Sequence, residues 1–481
     1  MTQQEIEKII KDEIKVKSDL CCDISDKIWD YAELSLKEYK SAALYIDVLK
    51  KEGFEVEEKL CGIDTCFKAS YGNGRPYIGI LAEFDALSGL SQEAGKTKKK
   101  ELIKNGSGHG CGHNMLGAGS LLATLAVKKL LSESKLSGTV IFYGCPGEEG
   151  GASKAFLARD EEWKKLDAAL TWHPDDLNRV STGTCNSCIQ KEYEFSGIAA
   201  HAAGNPEAGR SALDAVTLMN LGVEFLREHM NSTARVHYAI TNSGGVSPNV
   251  VQAKAKVLYM IRDVKVSDAV ALEKRVDKIA KAAAMMTETK LKINFIDGCA
   301  NVVPNKKLEE LLYDKFVQAG VADFTDEEKA FAANIIKSYE APSGKLPGGY
   351  GEETEQYAVI KEKSNNGMNS LNDFLVPYTF STEASAGSTD VGDVSWQTPT
   401  AQINTVCFAS NSPGHSWQNV SVGKTSIGHK GLENAGLVLA LSCSELFINN
   451  KILEEAKVEF EKRTESGYTC PVPKKAKPVA I

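Results

Sequence analysis

The sequence predicts an α/β protein: a catalytic domain on a mixed, mostly parallel sheet flanked by helices, with a ferredoxin-like domain inserted into it. Three observations carry this. Residues 77–84 (YIGILAEF), 138–144 (GTVIFYG) and 167–172 (DAALTW) are apolar runs without alternation, as expected of strands buried on both faces. The first two are separated by NMLGAGSLLATLAVKKLLSES, which has helical periodicity, and alternating strands and helices imply parallel pairing. Between residues 189 and 299 the pattern changes to strand, helix, two strands, helix, strand, the β-α-β-β-α-β order of a ferredoxin-like unit.

The elements follow in order. The N-terminal MTQQEIEKIIKDEIKVK is polar and amphipathic and reads as a surface helix, not a signal peptide. In the insert, IQKEYEFSG alternates like a half-buried strand, and SALDAVTLMNLGVEFLREHM and SDAVALEKRVDKIAKAAAMMTET read as its helices. RVHYAITNS, QAKAKVLYMIRD and KLKINFIDG supply its other strands. Residues 320–380 are rich in Gly, Asn and charge and read as long loops around short helices. TAQINTVCFAS returns to buried-strand character, GLENAGLVLALSCSELFIN is a helix, and the Pro- and Lys-containing tail reads as loosely ordered. The expected division is 1–188 and 300–481 for the catalytic domain, with 189–299 as a lid and dimerisation domain.

Bulk properties narrow the function classes. A chain of 481 residues exceeds the size at which one core keeps growing. A net charge of −8 argues against nucleic acid as the main partner, and no stretch reaches the roughly 18 consecutive apolar residues of a membrane span. Short basic runs such as Lys98-Lys99-Lys100 and Lys474-Lys475 read as solvated loops. Twelve scattered cysteines with no export signal point to reduced thiols in a cytoplasm.

The chemistry falls just after the buried runs. In Gly110-Cys111-Gly112-His113-Asn114, glycines let a thiolate and an imidazole two residues apart converge on one ion; alone, the pair is equally a buried cysteine beside a capping histidine. In Gly147-Glu148-Glu149-Gly150-Gly151, adjacent carboxylates repel unless a cation relieves them, and their roles can split into one ligand and one proton acceptor. His173 ends the third run, and His415 lies in Pro413-Gly414-His415-Ser416-Trp417. With only eight histidines in the chain, their placement at strand ends and Gly-flanked turns is hard to explain by packing alone. In the insert, His201 among alanines could supply an electrophile to an oxyanion, and Arg262, with Asn249, could hold a carboxylate.

These residues, with Glu83-Phe84-Asp85-Ala86-Leu87 and Ser388-Thr389-Asp390-Val391-Gly392-Asp393-Val394-Ser395-Trp396, resemble the M20 metallopeptidases, and specifically their amidohydrolase branch. The resemblance spans roughly residues 77 to 420. It implies a dinuclear site of two divalent ions, with Cys111, His113, Glu149, His173 and His415 as ligands and Glu148 as general base and acid. It further implies that His201 reaches the partner's site in a homodimer formed through 189–299, and that Asn249 and Arg262 recognise the carboxylate of an N-acyl amino acid. The peptidase branch has a His-x-Asp where this chain has Glu83-Phe84-Asp85, which leaves Mn2+ and Zn2+ both open and puts Asp85 behind a ligand, orienting it. The implied substrate is an aroyl- or acyl-glutamate, a dipeptide being the alternative within the family, and a homologous second subunit is a further expected partner. Two rivals stand beside this reading: a metal-retaining protein without turnover, and a thiol redox protein using Cys185 and Cys188.

Overall fold

The computed structural model describes residues 1–339 and 346–480. The strands of the catalytic part are β1 (Glu55–Glu58), β2 (Phe67–Asn73), β3 (Tyr77–Ala82), β4 (Gly138–Gly144), β5 (Ala168–Asp175) and β6 (Arg179–Ser181). The chain continues through a two-residue strand, β7 (Thr184–Cys185), into β8 (Ser187–Ser196), β9 (Arg235–Asn242), β10 (Lys254–Asp263) and β11 (Lys290–Cys299), then β12 (Ala384–Ser385) and β13 (Thr400–Val406).

One sheet has the order β1-β2-β4-β3-β5-β13-β6. Its centre, β4-β3-β5-β13, is parallel, and the antiparallel pairs lie towards the two edges. The parallel strands are the continuous apolar runs: every residue of β4 is buried. They need cover on both faces, and helices His113–Glu133 and Ser426–Ile448 supply much of it, packed on each other and on the sheet. Both helices are long and apolar enough to cross a membrane by composition, yet they are largely buried inside the fold. Trp172 of β5 donates from Nε1 to the carbonyl of Leu116 at 2.9 Å, fastening that strand to the first turn of its covering helix.

The N-terminal helix, Gln3–Tyr31, starts at a Thr2–Glu5 capping box and runs further than the sequence suggests. Instead of riding on the surface it buries Ile6, Ile10, Ile14, Cys21, Ile24 and Ile28, a stripe at helical spacing, in the main core. The tail is more ordered than expected: Asn450–Arg463 is helical, and Val472 beyond it is buried in a second apolar cluster. Within 320–380 the helices are Asp326–Ile336 and Glu355–Lys363, and residues 340–345 lie outside the described residues.

The second sheet has the order β11-β8-β10-β9, is antiparallel throughout, and carries helices Ala212–Leu226 and Val266–Met286. Its apolar cluster joins inward residues of the strands, such as Tyr193, Phe195, Val257 and Ile261, to those of the two helices. Edge strand β9 has one hydrogen-bonded neighbour and leaves Tyr238 and Ile240 exposed.

Candidate metal centre

The functional groups gather at the carboxyl ends of the parallel strands, where an open α/β sheet leaves its crevice. Glu83 and Asp85 follow β3, Glu148 and Glu149 follow β4, His173 lies in β5, and His415 follows β13. Cys111 and His113 come from the loop entering helix His113–Glu133. Gly112 has φ +81°, and a Cβ there would meet Met115, Phe408 and Pro174 at 2.8–3.0 Å, so this turn demands glycine. Gly147 has the same need, with φ +67° and Leu36 2.7 Å from a would-be Cβ. His415 itself adopts φ +51°. A non-glycine residue in that region carries strain that the surroundings must hold in place.

Two donor sets emerge, and they share one residue. Ligand atoms of Cys111, His113 and His173 lie within 4.8 Å of one another, and so do those of Cys111, Glu149 and His415. Cys111 Sγ is 3.4 Å from His173 Nε2, and His415 Nε2 is 3.3 Å from Glu149 Oε1. A third set, Glu83, His113 and Glu148, meets the same distance test.

Each inner histidine is held from behind. His113 gives Nδ1 to Asp85 Oδ1 at 2.9 Å, and His173 gives Nδ1 to the Pro174 carbonyl at 2.8 Å. With either ring neutral, the Nδ1–H bond leaves Nε2 facing inward as the lone-pair atom. Asp85 also accepts from Ser35 Oγ at 2.7 Å and from the Glu149 amide at 2.9 Å. Burial alone would raise this carboxyl, but its hydrogen bonds, His113 foremost, bring it down to about 2. Asn419 donates to the Gly110 carbonyl at 3.1 Å, tying the Cys111 loop to the segment that bears His415.

The electrostatics call for cations. Burial pushes the Cys111 thiol up to about 12, so its thiolate needs a positive charge beside it. Burial, then Glu83 and Glu149, push Glu148 well above the carboxylate range. His113 Nε2 and Glu149 Oε1 are buried with no hydrogen-bond partner. Such ligand-type atoms without a hydrogen bond, beside a thiol and a second imidazole, fit divalent metal ions.

Some contributors escape a reading of motifs. Lys154 is fully buried, with Nζ 2.8 Å from Glu83 and 2.5 Å from Asp390. Burial disfavours its charge, but the two carboxylates outweigh that and keep it an ammonium. The available signal is a single lysine in the apolar stretch Ala152–Ala158. Glu38, also buried, accepts from the amides of Leu36 and Gly147 and from Thr65, and so brackets the Glu148 loop. His109 is a packing histidine whose Nε2 meets the Ile28 carbonyl at 3.0 Å.

The predicted residues of the second sheet are placed differently. His201 and Asn249 are exposed and adjacent: the Ala202 amide donates to the Asn249 carbonyl, and Val250 bridges to His201. His201 Nδ1 accepts from the amides of Ala203 and Gly204, which puts the ring proton on Nε2, pointing away from its own loop. Neither residue joins the donor sets within this chain among the described residues. Arg262 lies inside β10 and donates from Nη1 to Ser388 at 2.9 Å. Among the described residues it forms no close ion pair, although its charge acts on the nearby Asp297 carboxyl. Cys185 and Cys188 are both free thiols.

A thiol shared between two donor sets, with a glutamate that belongs to neither of them at the carboxyl ends of the parallel strands, is an arrangement suited to metal-assisted hydrolysis. The match to the model of Peptidase family M20/M25/M40 runs over residues 79–473, and the chain belongs to that family. It is 43% identical over 481 residues, covering 99% of both chains, to one of the subunits of the p-aminobenzoyl-glutamate hydrolase of Escherichia coli (strain K12). Among solved structures, the aminobenzoyl-glutamate utilization protein from Klebsiella pneumoniae superposes with a TM-score of 0.55 at 16% identity, over 89% of this chain and 98% of that one. A dinuclear metal binding peptidase of the M20 family from Bacillus subtilis gives 0.50 at 15% identity, over 88% and 99%. The chain is thus an amidohydrolase of the M20 type.

Proposed function

We propose that the protein hydrolyses the amide bond of an N-acyl amino acid, p-aminobenzoyl-glutamate or a related aroyl-glutamate first among them. The observation that carries this is the sharing of Cys111 between two donor sets, with Glu148 in neither of them and set beside His113 and Glu83. Near full-length similarity to a p-aminobenzoyl-glutamate hydrolase subunit supports the substrate class.

Cys111, His113 and His173 would hold one divalent ion, and Cys111, Glu149 and His415 the other. When bound, such ions polarise a carbonyl and make water a better nucleophile near neutral pH. The chain's own groups do the rest. Asp85 keeps His113 aligned through Nδ1. Glu148, half-buried beside His113 and Glu83, takes the proton of the attacking water and returns it to the leaving nitrogen. The outward Nε2–H of His201 donates to the developing oxyanion, and the side chains of Arg262 and Asn249 bind the substrate carboxylate.

His201 and Asn249 do this on a neighbouring subunit. The unit 189–299 acts as a lid and dimerisation domain on a catalytic body of 1–188 and 300–481. Its open edge strand β9, with exposed Tyr238 and Ile240, and the exposed Leu221 and Phe225 on the adjacent helix form the apolar surface that supports pairing. The partner is a second copy of this chain; a homologous second chain is the other outcome, since the similar Escherichia coli protein is named as one subunit of its hydrolase. The free thiols support a reducing, cytoplasmic setting.

The test is release of p-aminobenzoate and glutamate by purified protein supplied with Mn2+ or Zn2+. Glu148→Gln should lower turnover by about 10²–10⁴-fold while metal content stays at the wild-type level. A Gln variant that keeps most of its turnover removes Glu148 from the role of base.

A further inference from the structure

The Cys-x-x-Cys spacing of Cys185 and Cys188 points to redox chemistry, but the fold gives Cys188 a different neighbour. Cys188 on β8 lies directly opposite Cys299 on antiparallel β11, and their sulfurs are 3.3 Å apart. Cys185, in β7 and in register with Ser385 of β12, lies near enough to act on both thiols but is not the residue opposite Cys188.

The position of the pair matters as much as its distance. Strands β8 and β11 are the first and last of the second sheet; Cys188 is the second residue of one, and Cys299 the final residue of the other. The chain therefore enters the sheet beside one thiol and leaves it beside the other. On its other side Cys188 faces Arg262 of β10. Residues directly opposite one another across strands share a face, so both thiols and Arg262 project to the same side. Both cysteines are buried, at 8% and 5% exposure, and their side chains meet each other across the strands.

We propose that Cys188 and Cys299 are a disulfide-forming site, a covalent clamp across the root of the second sheet, with a small peroxide as oxidant. The sulfur of one cysteine attacks a peroxide oxygen, the O–O bond breaks, and the departing hydroxide leaves as water with the thiol proton. The resulting sulfenic sulfur is attacked by the second cysteine. The S–S bond forms, and the second hydroxide leaves as water with the second thiol proton. Two thiols are oxidised, one peroxide is reduced, and two waters are released.

The sulfurs need close by only about 1.3 Å to reach a bond of roughly 2.05 Å. Facing positions of an antiparallel pair hold Cβ atoms about 4.5–5.5 Å apart, wider than the roughly 3.8 Å of a relaxed disulfide, so the strands must draw together. A bond made under such strain is readily reduced. The clamp is thus reversible, and it closes a loop containing the whole second sheet. None of this depends on the substrate or on the metal centre.

The experiment uses the full-length protein, reduced and then treated with hydrogen peroxide, digested without reductant and mapped by mass. The expected product is one linked species joining the peptides of Cys188 and Cys299, lighter by two hydrogens than their sum and lost on adding a thiol reductant. The oxidised protein should also melt about 2–4 °C higher than the reduced protein, and reduction should reverse the shift. Cys188→Ser and Cys299→Ser should each abolish both changes. If either serine variant folds poorly, the wild-type peptide map decides alone. Cys188 linked to Cys185, or both residues recovered as unlinked thiols or higher acids while other cysteines oxidise, overturns the proposal.

Discussion

The first sheet and the second sheet present their candidate functional groups in opposite ways. In the body, Cys111, His113, Glu149 and His173 are gathered at strand ends within one chain, and the two inner histidines are locked from behind by Asp85 and Pro174. In the unit of the second sheet, His201 and Asn249 stand exposed, braced by their own loop's backbone. Each half of the proposed chemistry is therefore assembled at a different stage. The charged, desolvated half is preorganised by folding; in the proposed chemistry, the half that meets the substrate's oxyanion and carboxylate would be finished by a neighbour.

The contrast is most exposed to experiment at His201. Alone, His201→Ala should lower turnover by about 10²–10³-fold, as for loss of an oxyanion donor, without changing metal content. Co-expressed with a Glu148→Gln chain, it should recover about a quarter of wild-type turnover, because half of randomly assembled dimers are mixed and each holds one intact site. Assay of the mixture against each single variant checks this, and no recovery would place His201 in its own chain's site.

The body's preorganisation has a second test at Lys154. Lys154→Met strands two buried carboxylates, Glu83 and Asp390, and should destabilise the fold by about 3–5 kcal/mol. Adding Glu83→Gln and Asp390→Asn should restore much of the loss. Denaturant unfolding of the single and triple variants reads the difference. By contrast, Ala at exposed Asn249 should leave stability within about 0.5 kcal/mol.

The pH dependence contributed by Asp85 is a further test of the body's preorganisation. Its folded-state pKa is lowered from 3.8 to about 2, so it stabilises the fold above pH 4 and loses that contribution as pH falls towards 2. In metal-free protein, Asp85→Asn should cost about 2 kcal/mol near neutrality, and the gap to wild type should narrow below pH 4. Acid unfolding of both proteins followed by circular dichroism checks it.

Much of the site is legible in the sequence because the chemistry sits where the pattern changes. Cys111, Glu148, Glu149 and His173 each adjoin a buried apolar run or a glycine turn, and those signals are local. The second sheet is legible for the same reason, since alternation replaces continuous burial at β8. Lys154 is not legible as a site group, because its partners Glu83 and Asp390 lie 71 and 236 residues away and only the sheet order brings them together. The burial of the N-terminal helix is hidden because its isoleucine stripe looks like that of any amphipathic surface helix. What decides its burial is the facing helix His113–Glu133, far along the chain. The Cys-x-x-Cys spacing does not reveal that Cys188 faces Cys299, because that juxtaposition is made across strands by residues 111 apart in sequence.

A thiolate shared by two metal ions underlies the whole of the proposed chemistry. Cobalt substitution of the purified protein, with metal counted by mass spectrometry and the thiolate-to-cobalt absorption recorded, examines that thiolate itself. Two ions per chain are expected, with a charge-transfer band that disappears in Cys111→Ser. One ion or fewer per chain, or a band that survives in Cys111→Ser, would contradict it.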